Sequence, residues 1–347
     1  MNVSEYQPPR LLRNPHVQSV LASSGVRRML FRRRLAALTH ASTEHVLDCG
    51  DGVRLLGLHT PQQALARPRG LVVLLHGWEG SAQSSYLLHT GSRLLNEGYD
   101  VFRLNFRDHG DTHHLNRELF HSCRIDEVVG AVGAVARMFP DLPLGIAGFS
   151  LGGNFALRVA LRAPDAGIPL AYALAVCPAI SPSDAMDAIE KAPWFYQVYF
   201  LLKWRRSLAA KQRTFPQDSL FAPEDMRGNL RELTRALVLK HTGFKSIEAY
   251  FDGYSIAGER LAAMRVPTTI LTSVDDPIIP VADFHKLTLP PCVELDIAPA
   301  GGHCGFIQGL SLTSWTEDYI AHRMQRNLPG AAASVVDGSF ASVDTLI

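Results

Sequence analysis

Ile146-Ala147-Gly148-Phe149-Ser150-Leu151-Gly152-Gly153-Asn154 sets the pentapeptide Gly148-Phe149-Ser150-Leu151-Gly152 between a short apolar run, Leu142 to Ala147, and a segment of helical periodicity, Leu151 to Leu161. The pattern Gly-x-Ser-x-Gly is common by chance; its place between a strand and a helix is what gives it chemical meaning. A serine at a sharp strand-to-helix turn takes a strained backbone conformation, tolerated where the flanking positions have little or no side chain. The strain projects the hydroxyl out of the sheet, and the following helix points its N-terminal amides at whatever the hydroxyl attacks. Ser150 is therefore the expected nucleophile.

Its partners are expected downstream, because folds of this kind present them in the chain order serine, acid, histidine. Asp275 and Asp276 follow the apolar run Thr268 to Leu271, and His303 follows the strand-like run Val293 to Ile297. In a parallel sheet such post-strand loops share one edge, so residues far apart in sequence can converge there. Histidine would take the serine proton near neutral pH, and a carboxylate would fix its tautomer and stabilise the imidazolium. Asp276 directly precedes Pro277-Ile278-Ile279-Pro280 and is the preferred acid; Asp275, better suited to capping a turn, is the alternative.

The tetrahedral intermediate also needs amide donors for its oxyanion. The amide of Leu151, just after the nucleophile, is one candidate. The other is Trp78, in the loop after the buried run Gly70 to His76, whichever way its ring packs. His76 reads as a structural brace for that loop.

Six stretches together carry a resemblance: Asn14-Pro15-His16-Val17-Gln18-Ser19, His76-Gly77-Trp78-Glu79-Gly80, Asn105-Phe106-Arg107-Asp108-His109-Gly110, Gly148 to Asn154, Asp275-Asp276-Pro277 and Gly301-Gly302-His303. The chain resembles the YheT-like branch of the α/β-hydrolases over residues 8 to 325 or so, with Asn14-Pro15-His16 the most branch-specific element. The resemblance implies a serine hydrolase of carboxylic esters, with Ser150, Asp276 and His303 as its triad. It also points toward short- to medium-chain acyl esters or lipids as substrates. Ser19 stands where the resemblance implies threonine in many relatives.

The remaining sequence is consistent with an enzyme of this type. The 347 residues are 47% hydrophobic, enough for a large core, and 34 basic against 33 acidic side chains give no field that would recommend a nucleic-acid partner. Five cysteines (Cys49, Cys123, Cys177, Cys292, Cys304) are scattered without metal-type pairing, which suits a reducing cytoplasm. Cys304 beside His303 could be read as a nucleophilic thiol, but it lies on no strand-to-helix turn and reads better as small-residue packing. Met1 to Arg10 has no apolar signal core, and nothing approaches the ~20 apolar residues of a membrane span. No cofactor and no metal is expected. No obligate protein partner is implied, while transient contact with a membrane surface stays open.

Alternating strand and helix patterns predict an α/β fold with a mostly parallel central sheet flanked by helices. Strands are expected at 43–48, 53–60, 70–76, 100–105, 142–147, 171–178, 268–273 and 293–297, and helices at 84–97, 126–139, 151–162, 247–250, 281–287 and 312–326. The expected organisation is an N-terminal extension (1–40), a core (41–180 and 265–327), a helical cap inserted at 181–264, and a flexible tail (328–347), loose from Pro329 onward. Within the insertion, Trp194 to Trp204 is aromatic and nearly apolar; its eleven residues are too few to span a bilayer. It reads as a cap helix packed on the core, or as an acyl-chain wall or interfacial lid.

Two charged features have two readings each. The run Arg27-Arg28-Met29-Leu30-Phe31-Arg32-Arg33-Arg34 reads first as a solvated helix face pairing with local acids, and second as a contact for anionic lipid head groups. His109, His113, His114 and His121 cluster loosely around Asp108 and Asp111; the segment reads first as shaping a loop and second as a metal site, though the spacings match no zinc pattern. Besides hydrolysis, two further functions fit the residues: acyl transfer through the same acyl-enzyme, and ligand sensing without catalysis. Dehalogenase or epoxide hydrolase chemistry would require an aspartate at the elbow.

Overall fold

In the computed structural model, which describes residues 1–218 and 220–328, the chain opens with three short helices: α1 (Pro15–Ser23), α2 (Gly25–Leu30) and α3 (Arg32–His40). Asn14 starts α1 by accepting from the amides of His16 and Val17 through its side chain, with Pro15 in the first turn, where no amide hydrogen is needed. Then follow β1 (Thr43–Asp48), β2 (Arg54–Thr60), β3 (Leu71–Leu75), α4 (Ser85–Asn96), β4 (Asp100–Leu104), α5 (Ile125–Met138), β5 (Leu144–Phe149), α6 (Leu151–Arg162) and β6 (Leu170–Val176). Four helices come next: α7 (Pro182–Lys191), α8 (Trp194–Thr214), α9 (Leu230–His241) and α10 (Ile247–Tyr254). The chain returns through β7 (Thr268–Ser273), α11 (Val281–Phe284), β8 (Val293–Ala298) and α12 (Trp315–Asn327).

The eight strands form one sheet in the order β1-β2-β4-β3-β5-β6-β7-β8, antiparallel in its first two pairings and parallel in the rest. The fold is therefore an α/β fold with a mostly parallel sheet, as expected. All five residues of β3 are fully buried; Leu71, Val73 and Leu75 enter the core on one face, Val72 and Leu74 the core on the other. A parallel sheet covered on both faces requires such an unbroken apolar run. Helices α5 and α6 contribute to the first core, α4 and α12 to the second.

The expected strands match the observed ones with ends shifted by no more than two residues. Helices α1–α3, α7 and α9 are additions to the expected set, and α12 begins at Trp315 rather than at 312. The aromatic run Trp194 to Trp204 is the first half of a 21-residue helix whose second half is polar, and no helix among the described residues is long and apolar enough to cross a membrane. The tail expected from Pro329 lies outside the described residues.

Candidate active site

Ser150 has φ 54° and ψ −120°, a backbone conformation that L-residues other than glycine rarely adopt. Two hydrogen bonds hold it there: its amide donates to the Val176 carbonyl at 2.9 Å, and its own carbonyl accepts from the Asn154 amide at 3.1 Å. Gly152 shows why the flanking position must lack a side chain, since a Cβ there would collide with the carbonyl oxygens of Leu75 and His76. The turn thus lifts the Ser150 hydroxyl to the head of α6, where the first-turn amides have no partner within the helix.

His303 lies across that hydroxyl, its Nε2 2.9 Å from Ser150 Oγ. Its Nδ1 is 2.9 Å from Asp276 Oδ2 and 3.1 Å from Oδ1. The Asp276 side chain is fully buried, and its Oδ1 also accepts the amides of Ile278 (2.8 Å) and Ile279 (2.9 Å), which fixes the carboxylate while it faces the ring. Asp275 does something else: its Oδ1 accepts the Gly302 amide at 2.9 Å, tying down the loop that carries His303. Burial alone would lower the His303 pKa, but the adjacent Asp276 carboxylate outweighs it and holds the imidazole well above its ordinary value.

The loop bearing His303 rests on α1, a support the sequence reading did not assign. The His303 amide donates to Ser19 Oγ at 2.8 Å. Gln18, fully buried, accepts the Ile307 amide at 2.6 Å and donates to the Ile307 carbonyl at 3.1 Å. Gly302, at φ 56°, sits so close that a Cβ would strike the Pro15 carbonyl. Pro15, Gln18 and Ser19, which lie in or just after the branch-specific Asn14-Pro15-His16, thus cradle the histidine loop.

The loop after β3 also lies against Ser150, where a Cβ on Gly77 would come within 3.3 Å of the Ser150 Cβ. His76 is buried and accepts the Phe106 amide on Nε2 at 3.2 Å, so its Nδ1 carries the proton and donates to the Gly77 carbonyl at 2.7 Å. Burial keeps this ring neutral, its pKa well below the ordinary value. Glu79, at φ 54°, donates its amide to His109 Nε2 at 3.3 Å, and its carbonyl accepts from Lys203 Nζ of α8 at 3.0 Å. Burial pushes the Glu79 carboxyl up to about 8, against the pull of Lys203. Among the described residues, the amides of Trp78 and Leu151 donate to no protein acceptor.

Ser150, Leu151 and Trp78 all line one cavity of about 110 Å³. Its walls are mainly apolar: Met186 and Ile189 from α7, Phe200 and Trp204 from α8, Leu237 from α9, Phe251 from α10. Trp78 stacks on Phe200 at 5.4 Å and meets Trp204 edge-on at 5.2 Å. The segment between β6 and β7 therefore roofs the hydroxyl with aliphatic and aromatic side chains.

A family model described as serine aminopeptidase, S33 (Hydrolase_4) matches residues 66–303, from just before β3 to His303 itself. The chain belongs to this family of α/β hydrolases. The hydrolase is similar to "Putative esterase YheT" of Escherichia coli (strain K12), at 28% identity over 325 residues, 91% of this chain and 92% of that protein. It is similar to "Phospholipase ABHD3" of Bos taurus at 25% identity over 249 residues, 71% of this chain but only 60% of the bovine protein. Among solved structures it shares its fold with the Pyrococcus furiosus esterase Pf2001 (TM-score 0.54, 18% identity, 83% of this chain and 91% of that one). A 2,6-dihydroxy-pseudo-oxynicotine hydrolase has the same fold (TM-score 0.54, 18% identity, 90% and 77%).

One charged residue of the hydrolase takes a place other than the one expected. Arg27 is not on a solvated face: it is 1% exposed and pairs with Glu317 of α12, a distant acid rather than a local one. The guanidinium needs that carboxylate because an unpaired buried charge is strongly destabilising. Three of the four histidines near Asp108 make separate contacts. His109 braces Glu79, His113 Nε2 lies 2.9 Å from Ser207 Oγ, and His121 packs edge-on against Phe244 and Tyr250. Asp108 receives Lys211 Nζ of α8 at 2.7 Å, a further link between α8 and the core. Cys177, His303 and Cys304 bring three donor atoms within 4.8 Å of one another. Both ring nitrogens of His303 already face Asp276 and Ser150, so a metal held there would displace one of these contacts.

Proposed function

We propose that the protein hydrolyses carboxylic esters through an acyl-enzyme on Ser150, with His303 as general base and acid and Asp276 as its orienting carboxylate. The observation that carries this reading is the unbroken hydrogen-bond chain from Ser150 Oγ through both nitrogens of His303 to Asp276, beneath an apolar cavity.

His303 Nε2 takes the Ser150 proton as Oγ attacks the ester carbonyl, and the amides of Leu151 and Trp78 receive the oxyanion. The imidazolium, stabilised by Asp276, then gives its proton to the leaving alcohol. Water, deprotonated by the same nitrogen, releases the acid and restores Ser150. The apolar walls support an ester with a short- to medium-chain acyl group as the substrate, and lipid metabolism as its setting. The esterase and phospholipase named among the relatives support that substrate class. All five cysteines are free thiols, which supports a reducing compartment such as the cytoplasm.

The test is steady-state hydrolysis of p-nitrophenyl acetate, butyrate and octanoate by the wild type and Ser150→Ala. The expected result is a kcat/KM that rises with chain length, and a loss on the order of 10³ or more in the alanine variant. A wild type inert toward all three esters, or a fully active Ser150→Ala, would sink the reading.

A further inference from the structure

Residues 6–43 contain seven arginines and not one aspartate or glutamate, in a chain whose overall formal charge is only +1. The remainder of the molecule is therefore net acidic, and the positive charge is concentrated on the N-terminal helices. Arg27 is neutralised by Glu317, and Arg34 lies 4.0 Å from the same carboxylate. Arg10, Arg13, Arg28, Arg32 and Arg33 are exposed.

Large apolar side chains stand among these arginines. On α2, Val26, Met29 and Leu30 are 48%, 70% and 59% exposed, at the spacing that puts them on one helix face. Val17 and Val20 are exposed on α1, and Leu11 just before it. The start of α8 adds a stripe at every fourth residue, Trp194, Val198 and Leu202, exposed to 74%, 41% and 46%. The two regions meet where His16 Nδ1 lies 3.2 Å from Tyr196 OH and the His16 ring packs edge-on against Phe195. Single exposed apolar residues need no explanation. Two adjoining helix faces of them, rimmed by arginine and free of acid, do.

We propose that α1, α2 and the first half of α8 form a docking face for an anionic lipid bilayer. Exposed apolar side chains would enter the headgroup boundary while the arginines meet acidic lipid phosphates, the combination that holds an interfacial helix at a membrane. The same elements reach the candidate active site from behind. The inner side of α1 carries Gln18 and Ser19 under the His303 loop, and the inner side of α8 carries Phe200 and Trp204 on the cavity wall. A docked molecule would thus hold its cavity close to lipid-borne esters. The value of that arrangement rests on the ester-hydrolase reading; the docking itself does not.

The test is co-sedimentation with vesicles of phosphatidylcholine alone and of phosphatidylcholine with one quarter phosphatidylglycerol, at low and high salt. Three full-length proteins are compared: the wild type, Arg28→Glu/Arg32→Glu/Arg33→Glu and Met29→Ser/Leu30→Ser. The wild type is expected to bind the anionic vesicles at least tenfold more tightly than the neutral ones, and less tightly in high salt. The triple charge reversal should weaken anionic binding on the order of 100-fold, and the double serine variant at least fivefold. Both variants should hydrolyse soluble p-nitrophenyl butyrate at the wild-type rate. Absence of vesicle binding, equal binding to both compositions, or a self-associated form that buries this face would overturn the proposal. A wild type that binds vesicles but hydrolyses no ester would instead refute the ester-hydrolase reading and leave docking standing.

Discussion

The backbone amide of His303 donates to the hydroxyl of Ser19 across 284 residues of sequence, at 2.8 Å. The base of the candidate triad is thus positioned from both ends of the chain. Asp276 fixes the ring, Asp275 fixes the amide of Gly302, and α1 fixes the amide of His303 itself.

Removing the Ser19 hydroxyl leaves that half-buried amide without its acceptor, a loss of about 1 kcal/mol. Ser19→Ala should lower kcat toward p-nitrophenyl butyrate about tenfold, with KM nearly unchanged, because small misplacement of a catalytic group acts on the chemical step. Ser19→Thr keeps the hydroxyl and should restore the rate. Steady-state kinetics on both variants checks this; equal loss in Ser19→Thr would contradict it.

The two neighbouring aspartates should separate cleanly. Asp276→Asn takes the charge from His303 Nδ1 and should reduce kcat on the order of 10³–10⁴. Asp275→Asn retains an oxygen that can accept the Gly302 amide, so its loss should be within about tenfold. The reverse ranking would move the acid one position along the chain.

The pH profile follows from the direction of the His303 shift. The base must be neutral to accept the Ser150 proton, and Asp276 holds its pKa above the ordinary value. Activity should therefore fall as pH drops, with an acid limb in kcat/KM above about pH 6.5. In Asp276→Asn the stabilising charge is gone, so the limb should move to lower pH while the plateau drops. A limb that stays in place would show that Asp276 is not the group facing the ring.

Glu79 offers a pH effect on stability with the opposite sense from a salt-bridged carboxylate. Burial keeps its proton on to about pH 8 in the folded state, whereas the unfolded chain releases it near ~4.3. The folded state holds more protons between these values, so stability is lost as pH rises through that window. Glu79→Gln lacks this term. Its melting temperature relative to the wild type should climb steadily from pH 5 to pH 8.5, as differential scanning fluorimetry can read; a constant offset would contradict the argument.

The central strands β3, β5 and β6 were legible because each is an apolar run of the right length bounded by turns, and burial on both sheet faces needs no finer pattern. Ser150, Asp276 and His303 could be picked out as a set because each follows a strand in a fixed chain order. The role of Ser19 had no such signal: a hydroxyl on a nine-residue helix meets a loop at the other end of the chain, and nothing periodic links them. Arg27 was misread for a related reason. In a run of arginines, one inward-facing member looks like the rest until its partner, Glu317 of α12, is seen beside it. The loop after β3 was legible as a turn following a buried strand, but not as a network. His76, His109, Glu79 and Lys203 come from three separate segments, and only packing joins them.

The most direct test of the central claim is covalent labelling with a fluorophosphonate, read by intact mass and peptide mapping on the wild type and Ser150→Ala. An activated serine predicts a single adduct on the peptide containing Ser150 and none in the variant. An unlabelled wild type, or an adduct that persists in Ser150→Ala, would contradict the assignment of Ser150 as the nucleophile.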